Sequence, residues 1–525
     1  MAVASIFVKI VGAIYKIPLY NDSMLGLEGS GIFQTTYNVY TLMLTISTAG
    51  IPAAMSRIVS SAHAKGNEKL VKRYFAVAMP AFIAVGVAAM LVMFLFADNL
   101  AGFMNNTRTA PGIRVLAPGV LFVCIISVYR GYAQGFENMI PTAVSQVIEV
   151  ICKAAFGLVA AFMLVSLGYN IEYVSAGAIM GVTIGLGLCV PSLAWYKRKL
   201  DRGITLSDDT AHLPSKLSAL GQLMKVSIPI TLSASFMSLM TLIDNGIILE
   251  RLQTALGLSE RAANIQYGIF TRGQTIYTLP PSIILPVSVS VIPAIAAALA
   301  RKQEGEAGVI MQSSVKLVNI LAMPAAAGLM ALAAPILMAL YNDSRQATSV
   351  ILTILGAATF FVCLQYITSA ILQANGHERV ALLTFPIGAA FKIALSYVLV
   401  GNPDIGIIGP AISTLVCFIV ISTLNIVFIM IRVKEKLNFI VVFIKPLLCA
   451  TVMAGAAFLT YNLMHWLGSG IVGQGRFAVI LFLGVAILVG VAVYFVLIIA
   501  TRTVTKEDMM LVPKGEKLAK ILRIR

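Results

Sequence analysis

The sequence predicts an all-α polytopic membrane protein with about fourteen transmembrane helices. Three observations lead there: apolar runs recur from one end of the chain to the other, charged residues make up only 11% of 525 positions, and mean hydropathy is +0.92. A bilayer core about 30 Å thick takes about 20 apolar residues per helical crossing. A chain that is 59% hydrophobic carries more apolar surface than a water-soluble fold of this size buries in one core. Closed β-barrels also satisfy the backbone in lipid, but their sequences alternate in short segments instead of running continuously apolar.

The first span is expected near 1 to 19. It lacks a basic leader ahead of its apolar run, and further spans follow, so it reads as a helix and not as a cleaved signal peptide. Five more spans are expected near 31 to 56, 74 to 97, 112 to 133, 141 to 166 and 174 to 196. The polar stretch KRKLDRGITLSDDTAHLPSKLSALGQLMK at 197 to 225 follows, and reads as a linker whose amphipathic end lies on the membrane surface. A second set of six is expected near 223 to 249, 264 to 298, 315 to 340, 349 to 373, 380 to 400 and 406 to 431, and a last pair near 440 to 463 and 477 to 500. Within the eighth span, Pro280 and Pro281 should break the helix, because proline lacks a donor and its ring clashes with the preceding turn.

The two sets of six are faintly alike. With a shift of 239, Gln134 falls on Gln373 and Lys153 on Lys392; with a shift of 241, Ile51 and Pro52 fall on Ile292 and Pro293. Such repeats imply two pseudo-symmetric lobes related by an axis along the membrane normal, the architecture of an alternating-access transporter. The expected division is an N-terminal lobe at 1–200, a linker at 201–222, a C-terminal lobe at 223–432, a terminal helix pair at 433–500 and a basic tail at 501–525.

The net charge of +16 would suit a nucleic-acid binder if it formed one patch, but the basic residues are spread through short inter-helix loops, so no nucleic-acid partner is expected. On these spans about 27 Lys and Arg fall on one side and about 6 on the other, which orients both termini to the cytoplasm. The six cysteines, Cys124, Cys152, Cys189, Cys363, Cys417 and Cys449, all lie in apolar runs without metal-ligand spacing; reduced, buried thiols and no metal are expected. Neither a Walker A sequence nor a nucleophile motif is present, so neither ATP hydrolysis nor covalent catalysis is expected.

Ionisable groups inside spans cost about 2.5 to 3.5 kcal/mol each on insertion scales, so each needs a partner or a wet cavity. Lys9, Lys16, Glu149, Lys153, Asp244, Arg272 and Lys392 are in this position. Lys9 and Lys16 are seven apart and on an unbroken helix share one face; they either form an anion-binding stripe or snorkel to a membrane surface. Arg272, beside Gly273 and ahead of the double proline, suits a phosphate through its planar fork of donors or sits at the headgroup level. Asp244 can pair with Arg272, hold a coupling cation or take up a proton. Glu149 and Lys153 stand in the favourable Glu-before-Lys order of a helical ion pair, with a role in ion coupling as the alternative. Lys392, at the position equivalent to Lys153, lacks an acid four residues before it and is the stronger substrate candidate of the two. Arg57 and Arg130 read as topology anchors or ligands.

The segments LGLEGSGIFQTTYNVYTLMLTISTAGIPAAMSRIVS, YRGYAQGFENMIPTAVSQVIEVICKAAF and YGIFTRGQTIYTLPPSIILPVSVSVIPAIAAALA resemble the polysaccharide-transporter branch of the multidrug, oligosaccharidyl-lipid and polysaccharide (MOP) exporter superfamily, especially its stage V sporulation protein B group and the MurJ-type lipid II flippases. The resemblance runs over nearly the whole chain. It implies a fold of the MATE and MurJ kind, with a cationic cavity that receives the pyrophosphate and sugar of an undecaprenyl-linked precursor. Lys16 in YKIPL and Arg272 match positions where lipid II flippases carry essential basic residues, and Arg57 is a looser match. Lysines replace the arginines of the Gram-negative pattern in the first span. The resemblance further implies a groove for the lipid tail between the last two spans, no cofactor, coupling to membrane potential, sodium or protons, and membrane lipids and cell-wall synthesis proteins as partners. Two alternatives stand beside a flippase: a cation-coupled drug or metabolite antiporter of the same superfamily, with Asp244 as its cation site, and a membrane-bound polysaccharide polymerase, which would need larger extracytoplasmic loops.

Overall fold

The computed structural model describes residues 2–48, 50–202, 214–301, 303–432, 440–468, 475–501 and 503. Half of the expected linker (203–213), the start of the terminal element (433–439) and the basic tail from 504 lie outside the described residues. The chain divides into two compact units, Met1–Gly268 and Ile269–Arg525.

The first unit contains α1 (Ala2–Ile14), α2 (Lys16–Leu19), α3 (Gly26–Thr48), α4 (Gly50–Ala64), α5 (Glu68–Leu95), α6 (Ala97–Phe103), α7 (Ala110–Gly135), α8 (Ile140–Ser166), α9 (Ile171–Arg202), α10 (Lys216–Thr254) and the first half of α11 (Glu260–Tyr277). The second contains the rest of α11, then α12 (Leu279–Ala300), α13 (Glu304–Ala331), α14 (Ala333–Tyr341), α15 (Gln346–Ala374), α16 (Glu378–Val400), α17 (Gly409–Arg432), α18 (Lys445–Gly468) and α19 (Arg476–Ala500).

Among the described residues, 13 helices are long and apolar enough to cross a bilayer, one fewer than the sequence suggests. The difference is the N-terminal segment, which is two pieces of 13 and 4 residues. The cause is Pro18: it has no N–H for the carbonyl of Ile14, and its ring crowds that carbonyl, so α1 stops there and the chain restarts as α2 after Tyr15. The double proline acts as its spacing predicts. The helix ends at Tyr277, and Pro280 and Pro281 occupy the first turn of α12, where a missing N–H costs nothing.

Other ends are set by caps. Asn67 accepts the backbone N–H of Leu70 at the start of α5, and Ser215 accepts that of Ser218 at the start of α10, the usual relief of orphan donors in a first turn.

Within each unit the same packing scheme recurs. In the first, α5 packs on α7, α7 on α9, and α8 on α9; in the second, α13 packs on α15, α15 on α17, and α16 on α17. Even the short α6, between α5 and α7, has a counterpart in α14, between α13 and α15. The terminal helices α18 and α19 pack on one another, and α18 packs on α13. Their contact with α13 is apolar, around Ile320, Met323, Cys449, Ala450, Met453 and Ile498, and is pinned where the Tyr494 hydroxyl donates to the carbonyl of Ile320 at 2.7 Å.

In the first unit α3 crosses α11 at very close range. A Cβ on Gly31 would lie 2.3 Å from the Asn264 carbonyl oxygen, and one on Gly268 would lie 2.0 Å from that of Leu27. Only glycine admits this approach, the small-residue packing common in membrane helices. Polar groups tie the same region to the connection before α7. Asn106 and Asn264 exchange amide hydrogen bonds of 2.6 and 3.1 Å, Glu28 takes both Arg108 and Arg261, and Glu260 accepts from the Arg108 backbone N–H at 3.0 Å.

Candidate functional site

The functional candidate in the first unit is built around one face of α3. Phe33, Tyr37 and Tyr40 lie at helical spacing, Phe33 and Tyr37 stacking with centroids 5.9 Å apart and Tyr37 and Tyr40 tilted at 5.5 Å. Gln34 and Asn38 form the neighbouring polar stripe, with the Gln34 amide donating to Asn38 Oδ1 at 2.8 Å. The α1–α2 break then directs Lys16 across to this face, where Nζ donates to Gln34 Oε1 at 3.0 Å and lies over the rings of Tyr37 (5.4 Å) and Tyr20 (5.7 Å).

A second lysine reaches the same ring from α8. Lys153 Nζ lies 5.3 Å from the centroid of Tyr37 and 4.9 Å from that of Tyr15, and donates to the Tyr37 hydroxyl at 3.5 Å. Two ammonium groups thus share one tyrosine. Each cation–π contact contributes roughly 0.5 to 2 kcal/mol, but none neutralises a charge, and among the described residues neither lysine has a carboxylate partner. Half-buried charge in this condition favours an incoming anion.

The expected ion pair between Glu149 and Lys153 does not form. Glu149 goes instead to Arg130, whose Nη2 is 3.3 Å from Oε2, while Arg130 Nε donates to Ser145 Oγ at 2.9 Å. Arg130 is 9% exposed, an internal partner and not a surface anchor. The expected lysine stripe is also replaced: the break at Tyr15 puts Lys9 on a separate helical piece, where it is exposed, while Lys16 turns inward. Arg57 is exposed on α4, and Asp244 is buried on α10.

In the second unit, Arg272 is fully buried at 0% exposure. Its Nη1 donates to Asp343 Oδ2 at 2.9 Å, and its guanidinium lies 5.4 Å from the Tyr341 ring. Asp343 also accepts from the Arg345 backbone N–H at 3.0 Å, from Arg345 Nη1 at 3.2 Å and from Thr348 Oγ1 at 3.1 Å. Burial alone would raise the Asp343 pKa, but these hydrogen bonds and the two arginines outweigh it and hold the carboxyl below its ordinary value. Sequence reasoning missed Asp343 because it stands in the turn between α14 and α15, outside every span. The signal was the need of a buried arginine for an acid. Buried Lys316 on α13 was missed in the same way, lying at the edge of its expected span; Lys392 is half-buried on α16.

Five of the six cysteines are buried and all are free thiols, and among the described residues no cluster of His, Cys, Asp and Glu can hold a metal ion.

The fold is that of a multi-pass α-helical membrane protein. The chain belongs to the polysaccharide biosynthesis protein family, whose model matches residues 1–299. Three Bacillus subtilis (strain 168) proteins are similar over most of its length. It is 26% identical to the membrane protein YabM over all of this chain and 96% of that protein, 25% identical to stage V sporulation protein B over 93% and 92%, and 28% identical to lipid II flippase MurJ over 75% and 74%. Among solved structures, a lipid II flippase MurJ in an inward closed conformation superposes with a TM-score of 0.69 at 14% identity, over 94% of this chain and 97% of that one. An inward-facing multidrug resistance MATE family transporter of the MOP superfamily gives 0.65 at 17% identity, over 83% and 98%. At these identities the structural likeness establishes the fold.

Proposed function

We propose that this protein is a flippase for an undecaprenyl-linked cell-wall precursor, lipid II or a related lipid-linked oligosaccharide, working by alternating access of its two repeat-related blocks. One observation carries the reading: Lys16 of α2 and Lys153 of the membrane-spanning α8 converge on Tyr37 of the membrane-spanning α3, and among the described residues neither has a carboxylate partner. A polyprenyl tail remains in lipid, whereas its diphosphate needs a positive, polar path, and two lysines around an aromatic ring supply one. The similarity to a lipid II flippase and to stage V sporulation protein B supports this substrate class. The basic loops orient both termini to the cytoplasm. Movement of an anionic headgroup couples to the membrane potential, worth about 2.3 kcal/mol per charge per 100 mV, or to a sodium or proton gradient; Asp244 is the candidate for the coupling ion. Cell-wall synthesis proteins are the partners this role implies.

Depletion in a host without a second flippase tests the substrate. Lipid II should accumulate in the cytoplasmic leaflet, read by its accessibility to an externally added lipid II-degrading enzyme. Unchanged exposure at the outer face would reject the assignment.

A further inference from the structure

We infer that Arg130 is a positioning residue that keeps Lys153 available to an anion by holding Glu149 away from it; this rests on the anion-site reading above. Glu149 and Lys153 are four apart on α8 in the order that pairs most favourably on a helix, and without outside influence each is the other's nearest opposite charge. A paired Lys153 would have little left for an incoming anion. The structure instead separates them by two sets of contacts from different helices.

On one side, Arg130 of α7 engages Glu149 at 3.3 Å and is itself oriented by Ser145, whose hydroxyl accepts from Arg130 Nε at 2.9 Å and donates to the Thr142 carbonyl at 2.9 Å. On the other side, Tyr37 of α3 and Tyr15, at the end of α1, hold the Lys153 ammonium at 5.3 and 4.9 Å from their rings. Arg130 is the better partner for a carboxylate in a poorly solvated place, because its charge is permanent and its donors are fixed in a plane. The tyrosines attract the ammonium without cancelling its charge. The outcome is a lysine that shares one ring with Lys16 and a carboxylate whose ion pair is with Arg130.

This arrangement predicts a rescue that a purely structural role for Arg130 would not give. Arg130→Gln releases Glu149, which then captures Lys153; removing the carboxylate as well, in Arg130→Gln with Glu149→Gln, lets Lys153 return to the rings. Purified full-length protein in detergent is titrated with farnesyl diphosphate, a soluble prenyl diphosphate, by calorimetry. Arg130→Gln should weaken binding about tenfold or more, and the double variant should recover to within about threefold of the unaltered protein. A parallel route uses Ser145→Ala, which removes the hydroxyl that orients Arg130, with Glu149→Gln again as the rescuing change; it serves if Arg130→Gln fails to fold. Unchanged affinity in Arg130→Gln, or no recovery in the double variants, would overturn the inference. Absence of binding by the unaltered protein would reject the anion-site reading itself, and so separates the two failures.

Discussion

Arg272 and Lys16 began as equivalent candidates in the sequence, two basic residues in membrane spans, and the structure gives them different surroundings. Arg272 is sealed in a buried ion pair with Asp343, and removing one partner of such a pair costs about 3 to 5 kcal/mol because the other charge is left buried. Asp343→Asn should therefore lower the thermal midpoint of detergent-solubilised protein at neutral pH. The folded pKa of Asp343 lies below its unfolded value, so its contribution is full above about pH 4 and is lost as pH falls through the folded value. The gap in midpoint between the unaltered protein and Asp343→Asn should accordingly shrink on acidification; a gap independent of pH would contradict the assignment. For Lys16 and Lys153, neutral replacements should abolish translocation at normal abundance and midpoint, since no ion pair is lost. The sequence identified both lysines as costly and in need of a partner. It assigned Lys153 the wrong one, because helical spacing shows what Glu149 can reach and not that Arg130, nineteen residues away on another helix, competes for it.

At the scale of elements, most spans were legible because a run of apolar residues long enough for a bilayer leaves the backbone no alternative to a helix. The double proline was equally readable. Pro18 was not recognised as a breaker of the first span. Pro18→Ala should fuse α1 and α2 and rotate Lys16 away from Gln34, with loss of diphosphate binding in calorimetry and little change in abundance; retained binding would show that the break is incidental. The α3–α11 crossing depends on two glycines whose role no single-sequence pattern reveals, since a glycine in an apolar helix has the same signature whether it faces lipid or a neighbouring carbonyl. Gly268→Val places a side chain onto the Leu27 carbonyl, and should lower the midpoint by several degrees, whereas the same change at Gly484, which faces open space, should leave it unaltered.

For the whole molecule, the faint sequence repeat has a counterpart in three dimensions: the long–short–long series α5–α6–α7 recurs as α13–α14–α15, and the pairs α8–α9 and α16–α17 follow in the same order. Helix order and packing preserve that likeness after side chains have diverged, because helices buried against one another tolerate many apolar exchanges. Charge has diverged most. The first unit places two lysines around Tyr37 that have no acid partner among the described residues, while the second encloses Arg272 with Asp343. The proposed anion site therefore draws on the first unit alone, whereas the candidates read from the sequence are scattered over both halves.

The proposed role of Lys16 and Lys153 is to carry a lipid-linked diphosphate across the bilayer together. It is tested most directly by reconstituting the protein into liposomes with fluorescent lipid II and following the loss of leaflet protection against a membrane-impermeant quencher under an imposed membrane potential. The unaltered protein should accelerate transbilayer movement, and Lys16→Ala with Lys153→Ala should return it to the protein-free rate while inserting normally. Equal movement with the variant and the unaltered protein would contradict the account.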